Sequence, residues 1–160
     1  PGHFRGVATV VAKMFCLTQP QKAYFGQKDA QQCVVVRRMA ADLGMLIEIV
    51  GCPTGRERDG LAMSSRNAYL KPPERKAATV LYRALQAAQA AFARGERGGE
   101  ALRRAMLAVL AQEPMAVLDY AAVADPETLA GVRQAGPCAL ALLAVKIGKT
   151  RLIDNLVLGE

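Results

Sequence analysis

The chain has 160 residues, of which 52% are hydrophobic: enough for one ordinary domain, or a part-domain plus a small one, and too apolar for disorder. Its formal net charge of +7 suits an anionic partner such as a nucleotide, a carboxylate or nucleic acid. Aromatics make up only 5% and Trp is absent, which argues against stacking platforms for single-stranded nucleic acid.

Pro1-Gly2-His3-Phe4 carries no initiator Met and leads straight into a periodic stretch, which reads as a chain cut from something longer. From Phe4 to Leu17, Val7, Val10, Val11, Met14 and Phe15 recur at helical spacing, and Thr18-Gln19-Pro20 ends the helix. Lys22 to Phe25 reads as a short strand broken by Gly26. Asp29 is a good N-cap for a helix from Ala30 to Leu43, with Gly44 as its C′ residue. Leu46 to Val50 is a second strand. Strand, helix and strand in so short a span predict a βαβ unit and a parallel sheet.

Gly51 to Asn67 reads as a long polar loop, and loops of that length are usually functional or disordered. Pro72-Pro73-Glu74 opens an Ala-rich helix reaching about Arg94. A polar hinge, Gly95 to Gly99, leads to a helix from Glu100 to about Gln112. Val117 to Ala124, Cys138 to Val145 and Arg151 to Val157 read as strands, with a hairpin at Gly148-Lys149. This second part looks like a small α+β domain with an antiparallel sheet.

The four cysteines, Cys16, Cys33, Cys52 and Cys138, form no C-x-x-C pair, and His3 is the only histidine. A zinc site is therefore not expected, and buried reduced thiols in a cytoplasmic protein are. No signal-peptide pattern opens the chain, and its longest apolar run, Ala139 to Val145, is too short to span a membrane.

Two segments carry candidate chemistry. In the first, Phe25-Gly26-Gln27-Lys28-Asp29 passes from strand to helix. Ligands of open parallel sheets sit off the carboxyl ends of strands, where a following helix offers unpaired N–H groups and a positive dipole end. Lys28 adds a full charge there, Gly26 permits close approach, and Gln32 shares the first turn. The plainer readings are an N-cap for Asp29, a solvated turn for Lys28 and a surface position for Gln32. In the second segment, Met63-Ser64-Ser65-Arg66 offers two hydroxyls and a planar guanidinium fork suited to phosphate. Its plainer readings are a phosphosite or a helix cap. No Ser-His-Asp arrangement, GxGxxG or Walker loop is present.

Several stretches together resemble the pantoate–β-alanine ligase family: His3-Phe4-Arg5-Gly6-Val7, Phe25-Gly26-Gln27-Lys28-Asp29 with Gln31-Gln32, Val50-Gly51-Cys52-Pro53-Thr54, Asp59-Gly60-Leu61-Ala62-Met63-Ser64-Ser65-Arg66-Asn67, Tyr69-Leu70, and Thr150-Arg151-Leu152-Ile153-Asp154-Asn155. The resemblance runs in order over essentially the whole chain. It implies an α/β fold: residues 1–62 as the C-terminal part of a Rossmann-like, HIGH-motif nucleotidyltransferase sheet, and residues 63–160 as a small lid-like α+β domain. It implies a ligase that uses ATP with Mg2+ to join pantoate to β-alanine through a pantoyl adenylate, in the cytoplasm. The expected partners are small molecules rather than nucleic acid or membrane, and the full-length enzyme is expected to be a homodimer.

Carried onto this chain, the resemblance assigns catalysis to Lys28, Ser64, Ser65 and Arg66, which hold phosphates. It puts Phe25, Gly26, Asp29 and Met63 beside ATP, and Gln32 on pantoate. Gln27 departs from the family's usual glutamate, and Ala30 from a common aromatic. The Met-Gly-Ala-Leu-His-x-Gly-His motif of the family's N-terminal half is absent, so the chain is expected to hold half a site and to be inactive alone. The alternatives are another nucleotidyltransferase of the same superfamily, or a non-catalytic basic module that binds nucleic acid, which the low aromatic content and dispersed Lys/Arg disfavour.

Overall fold

The structure is a computed structural model that describes residues 2–159. Two compact units make up the chain, Pro1–Thr54 and Gly55–Glu160.

In the first unit, α1 (His3–Thr18) precedes β1 (Lys22–Gly26), α2 (Ala30–Asp42) and β2 (Glu48–Cys52). β1 and β2 pair in parallel, from Lys22 opposite Glu48 to Gly26 opposite Cys52, with α2 as the crossover. The ladder begins where the Glu48 amide donates to the Gln21 carbonyl (3.0 Å), and an ion pair joins Lys22 and Glu48 across it (2.8 Å). The second strand therefore starts later than Leu46, whose side chain stands 99% exposed. Gly44 closes α2 at φ 61, where the Met45 amide reaches the Ala40 carbonyl and the Gly44 amide reaches Ala41.

α1 carries two apolar stripes rather than one. Val7, Val11 and Phe15 are the more protected, with Phe15 buried, while Val10 (59% exposed) and Met14 (56%) face outward with Leu17. Both stripes satisfy a 3.6-residue period, so spacing alone could not separate them. The core of this unit is Phe15, Ala30, Cys33, Val36 and Ala40.

In the second unit, α3 (Pro72–Ala77), α4 (Val80–Ala93) and α5 (Gly99–Leu110) precede β3 (Ala116–Ala124), β4 (Leu140–Ile147) and β5 (Thr150–Val157). The sheet is antiparallel in the order β3-β4-β5. Its core joins Leu81, Leu85, Leu102 and Met106 of the helices to Leu143, Val145 and Ile147 of the central strand. The single helix expected from Pro72 to Arg94 is two helices. Thr79 turns its hydroxyl back to the Lys76 carbonyl (2.9 Å), and the ladder tightens to i→i+3 bonds at Ala78–Leu81.

Residues 55–62, read from sequence with the first domain, make their contacts within the second unit. The expected loop from Gly51 to Asn67 is also more ordered than a loop. Gly51 and Cys52 end β2, Arg56 and Ala62 form an antiparallel bridge, and Ser65–Tyr69 is a 3-10 turn. All four cysteines are unpaired. Cys33 is buried as expected, but Cys16 and Cys138 are exposed, because the first lies off the packed stripe of α1 and the second precedes β4 in a turn at φ 67. Among the described residues, no helix is long and apolar enough to cross a membrane.

Candidate active site

In the first unit the candidate residues share one strand-to-helix junction. β1 ends at Gly26, and a 3-10 turn of Gln27–Asp29 feeds α2. Phe25 is half-buried and meets Phe15 edge-on, at 6.5 Å between ring centroids. The Cys33 thiol donates to the Gly26 carbonyl (3.4 Å) and so ties the strand end to the first turns of α2. Burial pushes that thiol's pKa up, partly offset by Arg37.

Gly26 has an ordinary φ of −70, and a Cβ added there would meet nothing within 4 Å. Neither backbone conformation nor packing among the described residues requires a glycine at this position. Asp29 occupies the N-cap position of α2 without a side-chain cap hydrogen bond, and it is exposed. Asp29 is thus the N-cap residue by position, as expected, but without the capping hydrogen bond. Lys28 and Gln32 are both half-buried beside it.

In the second unit, a network unseen in the sequence holds the Met63–Arg66 segment. Arg56 donates to both carboxylate oxygens of Asp154 (2.7 and 3.0 Å), to the Gly60 carbonyl (3.1 Å) and to the Asn155 carbonyl (3.2 Å). Its guanidinium lies 4.1 Å from the Tyr82 ring centroid. Arg75 clamps Asp59 with two bonds (2.7 and 3.1 Å), which hold that carboxyl below the usual carboxylate range. The Met63 amide then donates to the Gly55 carbonyl (2.9 Å), and Asn67 donates to the Ala62 carbonyl (3.1 Å). Asp154 stands inside an apolar strand, and that is the one signal in the sequence that could have pointed to a buried cation such as Arg56.

Ser64 caps the 3-10 turn: its Oγ accepts from the Arg66 amide (3.2 Å). The helix-cap reading thus holds for Ser64, whereas Ser65 and Arg66 stand exposed, as does the Met63 side chain. Arg66 also lines a groove of about 570 Å³ with Tyr69, Lys149, Thr150 and Arg151. From the sequence, Lys149 reads only as a hairpin residue and Arg151 only as part of the terminal motif. The site residues therefore form two local sets, Phe25 to Gln32 in one unit and Met63 to Arg66 in the other. Among the described residues, no three His, Cys, Asp or Glu side chains cluster as metal ligands.

A family model described as pantoate-beta-alanine ligase matches residues 1–157. A pantothenate synthetase of Roseiflexus sp. (strain RS-1) is 63% identical over 158 residues, which cover 99% of this chain and 57% of the relative. That of Herpetosiphon aurantiacus is 61% identical, covering 99% and 58%. The crystal structure of pantothenate synthetase from Thermus thermophilus superposes with a TM-score of 0.93 at 51% identity, over 98% of this chain and 56% of that one. A pantoate-beta-alanine ligase from Francisella tularensis, described as complexed with beta-gamma ATP and beta-alanine, superposes with a TM-score of 0.67 at 31% identity, over 98% and 51%. The chain thus spans a little over half the length of the curated relatives it matches.

Proposed function

The chain belongs to the pantoate–β-alanine ligase family, and we propose that the protein carrying it condenses pantoate with β-alanine at the expense of ATP, as a step toward coenzyme A. A pantoate carboxylate oxygen attacks the α-phosphorus of ATP. The bond from that phosphorus to the bridging oxygen breaks, and pyrophosphate leaves with the electron pair. The amine of β-alanine then attacks the acyl carbon of the adenylate. AMP departs, the nitrogen loses a proton and the amide of pantothenate remains.

Lys28 and the exposed Ser65–Arg66 pair are the groups we assign to phosphate, with Ser64 shaping the turn that presents them. Fixed cations aimed at charge that develops on the leaving phosphates stabilise the transition state more than the ground state. Gly26 carries this reading furthest: a glycine that backbone and packing do not require is explained by a ligand passing close to the chain. The uncapped N-terminal turn of α2 beside it offers N–H donors to an anion. Phe25 and Met63 line the adenosine side, Asp29 the ribose and metal-phosphate side, and Gln32 binds pantoate in the same proposal.

Mg2+ binds through one or two carboxylates plus substrate phosphate oxygens. Asp29 is the one carboxylate at this junction that could reach it, so the ion would arrive with the triphosphate and neutralise part of its charge. The proposal extends to a homodimer and to the cytoplasm, where exposed Cys16 and Cys138 stay reduced.

A hybrid tests the reading, with this chain replacing the matching part of the Roseiflexus enzyme. Pantothenate and AMP formed in equal amounts, and only when pantoate, β-alanine and ATP are all present, is the expected result. A folded hybrid that releases AMP with a different carboxylate would place the chain with another substrate.

A further inference from the structure

Three cationic side chains in the second unit converge on one groove: Arg66 from the 3-10 turn, and Lys149 and Arg151 from the β4–β5 hairpin. Tyr69 and Thr150 add hydroxyls to the same wall. We propose that this groove binds pyrophosphate, with Lys149 and Arg151 extending the phosphate contacts of Arg66 onto the leaving group; this deepens the function proposed above and rests on Arg66 meeting the phosphate chain.

The charge balance carries the inference. Among the described residues, neither Arg66 nor Lys149 has an ion-pair partner. Arg151 is paired with Asp119 through Nε alone (2.8 Å), and a guanidinium has five N–H donors in a planar fork. Of the nearby carboxylates, Asp119 takes only one N–H of Arg151 and Glu74, beside Gly148, does not line the groove, so its three cations suit an anion of several charges better than a monocarboxylate or a phosphate monoester.

The backbone that carries Lys149 is also held in place. The preceding Gly148 turns the hairpin at φ 57 and sits so close to Glu74 that a Cβ there would collide with its carboxylate. Glu74 is itself fixed by accepting from the Lys71 amide (2.8 Å) at the start of α3. One oxygen of its carboxylate accepts there and the other faces Gly148, so the hairpin tip is set against it before any ligand arrives. A backbone already set at the hairpin tip leaves less to be ordered when a ligand binds.

The test is calorimetric titration of the 160-residue chain with pyrophosphate, ATP and AMP, for the unaltered chain and for Lys149→Ala, Arg151→Gln and Arg66→Ala. Lys149→Ala changes an exposed turn residue, so its fold is not at stake. The expected result is about a tenfold loss of pyrophosphate affinity for each variant, with AMP affinity unchanged and ATP intermediate. Loss in Arg66→Ala with no loss in Lys149→Ala and Arg151→Gln overturns the inference and leaves the proposed function standing. Loss in the hairpin variants with none in Arg66→Ala also overturns the inference, which rests on Arg66, and removes Arg66 from the phosphate reading of the proposed function as well. Equal losses for AMP and pyrophosphate overturn the assignment to the leaving group.

Discussion

Arg56 and Asp154 lie 98 residues apart, yet both oxygens of the carboxylate accept from one guanidinium, at 2.7 and 3.0 Å. The Asp154 side chain is 1% exposed and that of Arg56 18%, so the carboxylate has no water in reserve and the guanidinium little. This pair fastens the 55–62 segment, and hence the start of Met63–Arg66, to β5. Removing one partner of a buried pair leaves the other uncompensated, which costs about 3–5 kcal/mol. Arg56→Ala is therefore expected to lose roughly that much stability in urea unfolding. Arg56→Met with Asp154→Leu is expected to lose much less than the sum of the single changes. A loss below about 1 kcal/mol for Arg56→Ala would contradict the role given to the pair.

Gly60 sits at φ 89 with the Tyr82 ring against the place a Cβ would occupy. Backbone strain and collision act together there, so Gly60→Ala is expected to cost about 1–3 kcal/mol and to lower the melting temperature. Gly26→Ala, in ordinary backbone and open space, is expected to leave the melting temperature unchanged while weakening ATP binding. If both variants melt with the unaltered chain, the packing around Tyr82 is wrong.

The sequence made the βαβ unit legible because its signals are local: alternation, a Gly C′ residue and short connections all fall within a few turns of one another. The strands of the second unit were legible for the same reason. Which stripe of α1 packs was not, since Val11 and Val10 have equal claims by period and only the position of α2 decides between them. The break at Thr79 depends on one hydroxyl choosing a carbonyl. At the candidate site, the Lys28–Asp29 junction could be read in advance, but the support beneath Met63–Arg66 could not. Arg56 and Asp154 look like an ordinary loop charge and a lone strand acid until the fold brings them together.

Acid stability follows from Asp59. Its pKa is lowered, first by hydrogen bonding from Arg75, relative to about 3.9 in the unfolded chain. A depressed folded pKa contributes stability that is fully present above the unfolded value and is lost as pH falls through the folded one. Asp125, lowered by the Thr128 amide and hydroxyl, acts in the same sense. Unfolding free energy is expected to fall as pH drops below about 4, and Arg75→Gln is expected to flatten part of that slope. An unchanged slope in that variant would show that Asp59 gains nothing from the pair.

Thiol labelling separates the cysteines. Cys16 and Cys138 are exposed and are expected to react with iodoacetamide in the native chain. Cys33 is buried, its thiol is raised in pKa and it bonds to the Gly26 carbonyl, so it is expected to react only after unfolding. Mass mapping of the labelled peptides reads the order directly. Early labelling of Cys33 would mean that the strand-to-helix junction opens in the native state.

The central claim is that this chain helps to form an acyl adenylate, with Lys28 and Arg66 on the phosphates. Isotope exchange between pyrophosphate and ATP, measured in the Roseiflexus hybrid with pantoate present and β-alanine omitted, tests it most directly. The expected exchange requires pantoate, does not require β-alanine, and falls about a hundredfold or more in Lys28→Ala and Arg66→Ala. Exchange that ignores pantoate, or that survives both substitutions, would contradict the claim.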